Sequence, residues 1–337
     1  MSVRLVLLGM LPPLAYALYK LDVAAQLVEF CTGPGSYSRI FAVLVLAWNW
    51  KSLPFVWTFR VFYSMILHLG VRPFHTHTPD KLFHPVISQS HASLNELDYR
   101  LHKSNSTYLA DIDIARSHLA SHLLARAGHL AYQNAKTRFV MDPSDPSRPA
   151  RGGFNIGVGG VFCSWRREIK PFQQYEMWTR ILTWDRKWLY IMTHFVQKGA
   201  IKPSSWDAPE NFGPTRTKSG KPEGWEKKVF ATAVSLYIFK IGRLTVPPAT
   251  MLQGSGLLPE RPGGWLKDAD IDQDAPEVNG SAEPVSEADF EKGSWQWVEA
   301  RRKKGLEYAR HLNNMNVDLH GEFDCGDDGA LGRFSIG

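Results

Sequence analysis

Cysteine is scarce in this sequence, and the few cysteines are far apart. Only three occur in 337 residues, and no two of them form a CxxC pair. This excludes a disulfide-stabilised scaffold and a cysteine-based zinc site. The pair His75 and His77 has no third ligand at helical or strand spacing, so we predict no metal centre and no cofactor.

The chain also lacks an uncharged apolar run of the roughly 18–20 residues that cross a membrane as one helix. Three shorter runs lie near the N-terminus, at 5–19, 40–50 and 61–71. Aromatic residues near Lys51 and Arg60 are typical of anchors at a membrane interface: Trp48, Trp50, Trp57 and Tyr63. We therefore predict that residues 1–72 associate with a membrane surface. The alternative is that these helices pack on the protein's own core.

Several functional signatures are missing as well. No element interleaves a Lys/Arg stripe with aromatic residues, so a nucleic-acid partner is not expected. No Gly-x-Ser-x-Gly motif occurs, which argues against an α/β-hydrolase. The glycines between 152 and 160 open no helix, so they form no phosphate loop, and they favour close backbone approach within a strand.

What the chain does contain is the composition of a folded protein. Hydrophobic residues make up 44% and charged residues 21%, at a net charge of +6, which excludes a disordered polymer. The composition and residue pattern divide the chain into four regions: the apolar segment 1–72, a globular domain at 73–250, an acidic Pro/Gly-rich linker at 251–293, and a C-terminal helix and tail at 294–337. A Pro/Gly/Lys-rich insertion loop is predicted at 199–227. The basic, Trp-bearing C-terminal helix either lies on a membrane or packs on its own domain.

Within the globular region, periodicity predicts one long helix and several strands. Apolar residues at helical spacing predict a helix over 106–128, starting at Asn105 or Ser106 and ending at Gly128. Strands are predicted at 84–94, 154–165, 175–185, 187–197 and 229–241. Because helices do not alternate with these strands, the pattern indicates an α+β fold with an antiparallel sheet and not a doubly wound one.

The most informative stretch for chemistry lies between the first strand and the long helix. Asp98 stands just before the helix, whose free backbone N–H groups and positive dipole end can stabilise an oxyanion. Those features alone make Asp98 a candidate catalytic acid. An aspartate in this position also serves commonly as a cap or turn residue.

The spacing Asp98-x-x-x-His102-x-x-Asn105-x-x-Tyr108 resembles that of hotdog-fold acyl-CoA thioesterases of the 4-hydroxybenzoyl-CoA thioesterase type. It is most similar to membrane-associated thioesterase-superfamily proteins and to fungal thioesterases from polyketide clusters. The similarity covers residues 84–248 and includes the helix residues Asp111, Asp113 and Arg116. The three-residue spacing of Asp113 and Arg116 also predicts a weak surface pair on that helix.

Two positions depart from the family motif. Leu101 stands where the family has glycine, and Ser104 replaces the first asparagine of a pair. We expect Leu101 either to occlude the site or to alter its shape.

The resemblance implies a hotdog fold, in which an antiparallel sheet wraps one long central helix and pairs with a second copy in a homodimer. It implies that Asp98 is the general base or nucleophile, and that the backbone N–H groups of residues 104–106 polarise the thioester carbonyl. It further implies a set of substrate-binding residues: His102, Ser104, Asn105, Ser106 and Tyr108.

These features lead to a primary hypothesis and two alternatives. The primary one is a thioesterase that hydrolyses an acyl-CoA or a carrier-bound acyl thioester, including a polyketide. The alternatives are a catalytically silent hotdog protein that binds acyl chains or scaffolds a membrane-bound pathway, and a dehydratase or cyclase on the same fold. A glycan on the Asn105 sequon would block the helix start, so either the catalytic domain faces the cytosol or the sequon is too buried to be used. We favour the first and expect an endomembrane location with the catalytic domain in the cytosol.

Overall fold

The computed structural model describes residues 23–71, 77–203, 223–266 and 289–321. It divides into two compact units. One contains the chain up to Trp57 together with Ser93–Asn95, and the other contains Thr58–Ala92 and the chain from Glu96 onward.

The first unit is built on two short apolar helices, α1 (Val23–Thr32) and α2 (Ser36–Trp48). Asn49 ends α2, where its side-chain amide donates to the Val45 carbonyl and its oxygen accepts from the Asn95 amide. In the described ranges, no single helix reaches the length and hydropathy of a membrane span. The α1–α2 pair, bent by 102°, reaches them only when the two helices are counted together.

The second unit is organised around an antiparallel sheet with the strand order β1-β5-β6-β7-β4, and β8 pairs with the end of β7. The strands are β1 (Val86–His91), β4 (Phe154–Trp165), β5 (Gln174–Trp184), β6 (Leu189–Gln197), β7 (Val229–Ile241) and β8 (Leu244–Val246). All five predicted strands are therefore confirmed. A separate hairpin, β2 (Met141–Asp142) and β3 (Asp145–Pro149), was not predicted.

The long helix is shorter than expected. It is split into α4 (Thr107–Leu123) and α5 (Ala125–Tyr132), and Gly128 lies inside α5, so the predicted stop at Gly128 is wrong. Leu123, Leu124 and Ala127 are all buried. All three belong to one core cluster.

The sheet is covered on both faces. On one face, α4 packs through a stripe at helical spacing made of Tyr108, Ile112, Ala115 and Leu119. On the other, α8 (Trp295–Gly321) contacts β5, where Gly305 lies so close to the Leu182 carbonyl that an added Cβ would be 2.7 Å from it. Because both faces are buried, β6 and β7 read as nearly continuous apolar runs. Of the two alternatives for the C-terminal helix, packing on its own domain is the one observed.

An antiparallel sheet wrapped on one central helix is the α+β hotdog fold expected from the sequence. The glycines of β4 serve close packing, since a Cβ on Gly159 would lie 2.2 Å from the Trp188 ring. The remaining helices are α3 (Val56–Ile66, continued by a π-turn over Leu67–Val71), α6 (Asn134–Thr137) and α7 (Pro248–Gly254).

Five sequence predictions fall wholly or partly outside the described residues. They concern positions 1–22 and 72 of the apolar segment, including its run at 5–19, 204–222 of the insertion loop, 267–288 of the acidic linker, 322–337 of the C-terminal tail, and His75 of the histidine pair. The start of the predicted linker is described, and it is folded: Leu257, Leu258 and Trp265 are buried in the core.

Candidate active site

Asp98 begins a tight turn at the tip of a small hairpin. Leu97 pairs with Lys103, the Asp98 amide donates to the His102 carbonyl at 3.0 Å, and the Leu101 amide donates to the Asp98 carbonyl at 3.0 Å. One carboxylate oxygen of Asp98 accepts from the Arg100 amide at 2.9 Å. Asp98 is thus held as a turn residue, as the simpler interpretation predicted, while its second oxygen remains available for other contacts.

The second oxygen of Asp98 faces the imidazole of His102. Asp98 Oδ2 lies 3.3 Å from His102 Nδ1, and His102 Nε2 lies 3.5 Å from Glu168 Oε1. The Asp98 and His102 side chains are 24% and 16% exposed, whereas Glu168 is 62% exposed. The three side chains form a carboxylate–imidazole–carboxylate row in which Asp98 and His102 are half-buried and still reachable by water.

Leu101 has the backbone conformation that explains why the family has glycine there. Its φ is +58°, in the left-handed region that favours glycine. Its side chain is 70% exposed, so it does not fill the space between Asp98 and the helix. Of the two expectations for Leu101, altered shape fits the structure and occlusion does not.

The start of α4 offers fewer donors than the sequence suggested. The Ser104 amide donates to the Glu96 carbonyl at 2.7 Å, so it is not available to a thioester carbonyl. The Thr107 amide and hydroxyl both donate to the Ser104 carbonyl. In the part of the chain that the structure describes, the exposed amides of Asn105 and Ser106 have no protein acceptor. These two N–H groups are the remaining candidates for an oxyanion site.

Tyr108 is buried in the core beneath the helix start. Its ring contacts Phe195 and Trp165, with centroids 4.8 Å and 6.2 Å away. Burial, reinforced by Cys163 and Asp111, raises the pKa of the Tyr108 hydroxyl. Tyr108, which the resemblance assigns to substrate binding, is therefore part of a buried core cluster.

A second ionic cluster lies under the same hairpin. The Lys103 ammonium is 3.0 Å from Glu96 Oε1 and 3.0 Å from Asp111 Oδ2. The Tyr175 hydroxyl donates to Asp111 Oδ2, and Arg60 Nη1 lies 3.7 Å from the other oxygen of Asp111. We call these five residues the buried ionic cluster. It fastens the hairpin to α4, β5 and α3.

Burial is nearly complete at the centre of this cluster. The side chains of Lys103, Asp111 and Glu96 are 0%, 1% and 8% exposed. Burial, together with the Asp111 and Glu96 carboxylates, raises the pKa of Tyr175 well above its usual 10.0. Tyr175 therefore stays protonated and can keep donating to Asp111. Burying a charge costs free energy unless the charge is paired. Removing any one partner of the cluster should therefore strongly destabilise the fold.

Asp113 and Arg116, which the spacing marked as a weak surface pair, do pair, but not at the surface. Arg116 is buried, with a second bond to the Ser235 hydroxyl at 3.3 Å and its guanidinium 5.4 Å from the centre of the Tyr237 ring. The expectation of an exposed pair is wrong, because the guanidinium lies between the helix and β7.

Comparison with known proteins identifies the family of this chain. The model of the thioesterase-like superfamily matches residues 92–232. The probable thioesterase atnL of Emericella nidulans is 31% identical over 90% of this chain and 92% of its own length. The chain belongs to the thioesterase-like superfamily. The thioesterase poxG of Penicillium oxalicum is 30% identical over 89% of this chain and 91% of its own length, and the probable thioesterase YBR096W of Saccharomyces cerevisiae is 28% identical over 66% and 81%.

In this superfamily member, only some of the expected site residues come together. Asp98 contacts His102, and the Ser104 and Ser106 hydroxyls lie 3.1 Å apart beside exposed Asn105. Sequence reasoning missed Glu168 and the buried ionic cluster. Lys103 lies inside the motif, and a lysine between two expected pocket residues was the available signal.

Proposed function

We propose that this thioesterase-superfamily member hydrolyses an acyl thioester at the Asp98 turn. The observation that carries the proposal is the half-buried Asp98 carboxylate, one oxygen of which is fixed by the turn and the other directed at His102. Asp98 acts either as the general base that takes a proton from the attacking water or as the nucleophile. The Asn105 and Ser106 amides stabilise the oxyanion.

In the general-base form, water adds its oxygen to the carbonyl carbon and gives one proton to Asp98. The C–S bond then breaks, and the leaving sulfur takes a proton from the His102 imidazolium to depart as the thiol. The proton held by Asp98 passes to His102 across their 3.3 Å contact and restores both groups. The products are a carboxylic acid and a thiol. Relatives over nine-tenths of the chain are named thioesterases, which favours hydrolysis over a silent, acyl-binding or scaffolding role. We propose acyl-CoA or a carrier-bound acyl group as the substrate.

The test is hydrolysis of a thioester panel by the purified full chain and by Asp98→Asn, with free thiol as the readout. Asparagine keeps the turn but removes the charge, so we expect a loss of about 10²–10⁴-fold in rate. Asp142→Asn is the matched control, because Asp142 accepts from the Ser144 amide at the same 2.9 Å in a turn outside the site. An Asp98→Asn protein with most of the wild-type rate would show that another group is the catalytic acid.

We also propose that the N-terminal region binds a membrane surface. Phe41, Leu44, Leu46 and Trp48 on α2 are 45–66% exposed, which supports an apolar outer surface. The aromatic residues expected to act as anchors, Trp48, Trp50, Trp57 and Tyr63, are 44–59% exposed. Lys51 is buried and Arg60 Nη1 lies 3.7 Å from Asp111, so the proposal rests on the apolar side chains. Replacing the four apolar residues of α2 by serine should reduce flotation with lipid vesicles, whereas Tyr132→Ser, which alters a 79% exposed aromatic residue on α5, should not. Unchanged flotation of the fourfold variant would refute this use of α2.

A homodimer is proposed from the edge of the sheet. β4 lies at one end of the strand order, and its Ile156, Val158, Phe162 and Trp165 are 38–45% exposed. An exposed, apolar edge strand is a ready surface for pairing with a second copy. Light scattering should give a dimeric mass for the full chain and a monomeric mass for Val158→Lys. A monomeric wild type would exclude the dimer.

A further inference from the structure

Four histidine side chains that the candidate site does not use meet beside α4. His118 and His122 lie one turn apart on α4, His68 lies in the π-turn that continues α3, and His77 lies in the stretch before β1. The His68 ring is centred 5.4 Å from the His118 ring and 5.0 Å from the His122 ring, and the His77 ring is centred 4.6 Å from the His122 ring. We call these four residues the histidine cluster.

The contact between His68 and His118 limits the number of protons that the cluster can hold. His68 Nε2 lies 3.2 Å from His118 Nδ1, so one of these nitrogens donates and the other must accept without a proton. A proton on both would set two donors face to face. His68 is 7% exposed and the other three rings are half-buried, so water cannot readily separate them. The packed cluster therefore holds fewer protons than four free imidazoles hold in acid.

Helix α3 meets α4 through polar side chains. Arg60, Ser64 and His68 recur every four residues, which places them along one side of α3 and its π-turn. Arg60 Nη1 lies 3.7 Å from Asp111, Ser64 is fully buried, and His68 contacts His118. Large apolar side chains of the same segment are instead 39–70% exposed: Phe59, Phe62, Tyr63, Met65, Ile66 and Leu69. Because these side chains contribute little burial, the attachment of α3 to α4 depends on its polar contacts.

Both carboxylates of α4 have cationic partners. Asp111 contacts Lys103 at 3.0 Å and Arg60 at 3.7 Å. Asp113 pairs with Arg116, whose guanidinium lies against β7. Neither acid is thus left over to neutralise protons on the histidine cluster.

The remaining charged side chains described in this region lie on the stretch before β1 and on α5. Asp80 lies 3.7 Å from Lys81, and Arg126 and His129 on α5 are exposed. Residues 254–258, which pack on the stretch before β1, include no charged side chain. Because each carboxylate of these segments already has a cation beside it, protons added to the histidine cluster mainly repel one another.

The ligand that fits the histidine cluster is the proton. Among the described residues, no three His, Cys, Asp or Glu side chains are arranged to hold a metal ion. A free imidazole takes up a proton near pH 6.5. The rings can do so once α3 separates from α4, whereas at least one nitrogen of the packed cluster must stay unprotonated. The separated state thus binds more protons, so the attachment is strongest above about pH 7.5 and weakens as the pH falls through about 6.5.

We propose that the histidine cluster is a pH-sensitive switch that holds the end of α3 on α4 at neutral pH and releases it in acid. The ion pair of Arg60 and Asp111 contains no imidazole, so α3 keeps this second contact when the cluster opens. In a neutral cytosol the switch is closed, and a domain that faced an acidic lumen would hold the end of α3 released. The switch is independent of thioester hydrolysis, since none of the four histidines belongs to the candidate site.

The experiment measures hydrogen–deuterium exchange of the full chain between pH 4 and 8, read in peptides from residues 58–71. Exchange rates are divided by those of an unstructured chain at the same pH, which leaves the protection that the structure provides. We expect this protection to fall about tenfold from pH 7.5 to 5.5, because excluding one proton at pH 5.5 from an imidazole that titrates near 6.5 costs that factor. Protection of β5 and β6 should stay unchanged.

Two double variants identify the groups that titrate. His118→Gln/His122→Gln removes two rings of the cluster and keeps side chains that can bond to His68, so its protection over 58–71 should be the same at pH 7.5 and 5.5. The matched control is His129→Gln/His311→Gln, which removes two exposed histidines on α5 and α8. The control should keep the tenfold fall.

Equal protection of the wild type at the two pH values overturns the proposal, and so does a tenfold fall that persists in His118→Gln/His122→Gln or disappears in the control. A fall that extends to β5 and β6 overturns it as well, because it would reflect unfolding of the whole domain. If His118→Gln/His122→Gln is unprotected already at pH 7.5, the wild-type curve decides. A fall that begins near pH 6.5 supports the histidines, and one that begins only below about pH 4.5 assigns the effect to carboxylates and overturns the proposal.

Discussion

Two neighbouring residues of one hairpin, His102 and Lys103, belong to ionic clusters with opposite properties. His102 is half-buried and lies more than 3 Å from each of its carboxylate partners. Lys103 is fully buried and lies 3.0 Å from both of its own. Carboxylates paired with a cationic or basic side chain thus form both an open row, Asp98–His102–Glu168, that water can reach and the buried ionic cluster, a closed cluster whose centre it cannot reach.

The difference shows how burial divides structural roles from chemical ones. In the closed cluster each charge depends on its partner for solvation, so loss of one group leaves another stranded. In the open row, water solvates whichever group loses its partner, so the energetic consequences are small. Chemistry that must give and take protons is better served by the open row.

The largest effect should follow from Lys103→Met. The substitution keeps the volume but leaves the Glu96 and Asp111 carboxylates buried without their shared cation. We expect the free energy of unfolding to fall by about 3–5 kcal/mol, measured by urea denaturation. Lys187→Met, which removes an exposed lysine beside Trp188, is the control and should be nearly neutral. If Lys103→Met lowers the free energy of unfolding by less than about 1 kcal/mol, the cluster contributes no more to stability than an ordinary surface ion pair, and this prediction is wrong.

Tyr175→Phe should have a smaller effect on the same cluster. It removes the hydroxyl that donates to Asp111, so we expect a loss of about 1.5–3 kcal/mol, against no change for the exposed Tyr99→Phe. Because the pKa of Tyr175 is raised in the folded chain, the unfolded chain loses this proton first as the pH rises above 10.0, and stability falls from there upward. The stability of Tyr175→Phe should fall less steeply with pH in that range. If the plots of unfolding free energy against pH are parallel for the two proteins, this role of Tyr175 is contradicted.

Glu168→Gln tests the open row. Glutamine removes the charge next to His102 and keeps the shape, so we expect kcat to drop by no more than about fivefold, with KM and stability unchanged. Glu226→Gln, at another exposed acid, serves as the control. A large loss of stability would mean that Glu168 belongs to a closed cluster after all.

The smallest effect is expected at Leu101. Leu101→Gly relieves a left-handed backbone conformation but adds freedom to the unfolded chain, so the net gain in stability should be about 0.5–1 kcal/mol. Leu101→Ala keeps the strain while removing the exposed side chain. Equal stability of the glycine and alanine variants would show that the conformation costs nothing.

Much of the fold could be predicted from local pattern. The strands of the sheet were predicted because short apolar runs bounded by turn residues are local signals, and the motif around Asp98 led to the superfamily. The break at Leu124 could not be predicted, because leucine is a good helix former and no glycine or proline stands there. Nor could the buried ionic cluster, because Lys103 and Tyr175 are distant in the chain and only the pairing of β1 with β5 places Tyr175 near the hairpin.

The site also has features that the sequence could predict and features that it could not. The contact between Asp98 and His102 is local and follows from the turn, so their spacing in the sequence was sufficient to predict it. The loss of the Ser104 amide as a donor depends on a hydrogen bond to Glu96 that no periodicity reports. Glu168 approaches His102 only because segment 166–170 lies beside the hairpin.

The helix α8 on the outer face of the sheet has a consequence for how the chain is made. It lies at the C-terminal end of the described residues, yet it covers Leu182, Tyr190 and Leu236 on strands synthesised much earlier. During translation those strands emerge from the ribosome with this face bare, and it stays bare until residues beyond 294 have been added. A nascent or prematurely terminated chain therefore presents an apolar surface that chaperones bind and that promotes aggregation.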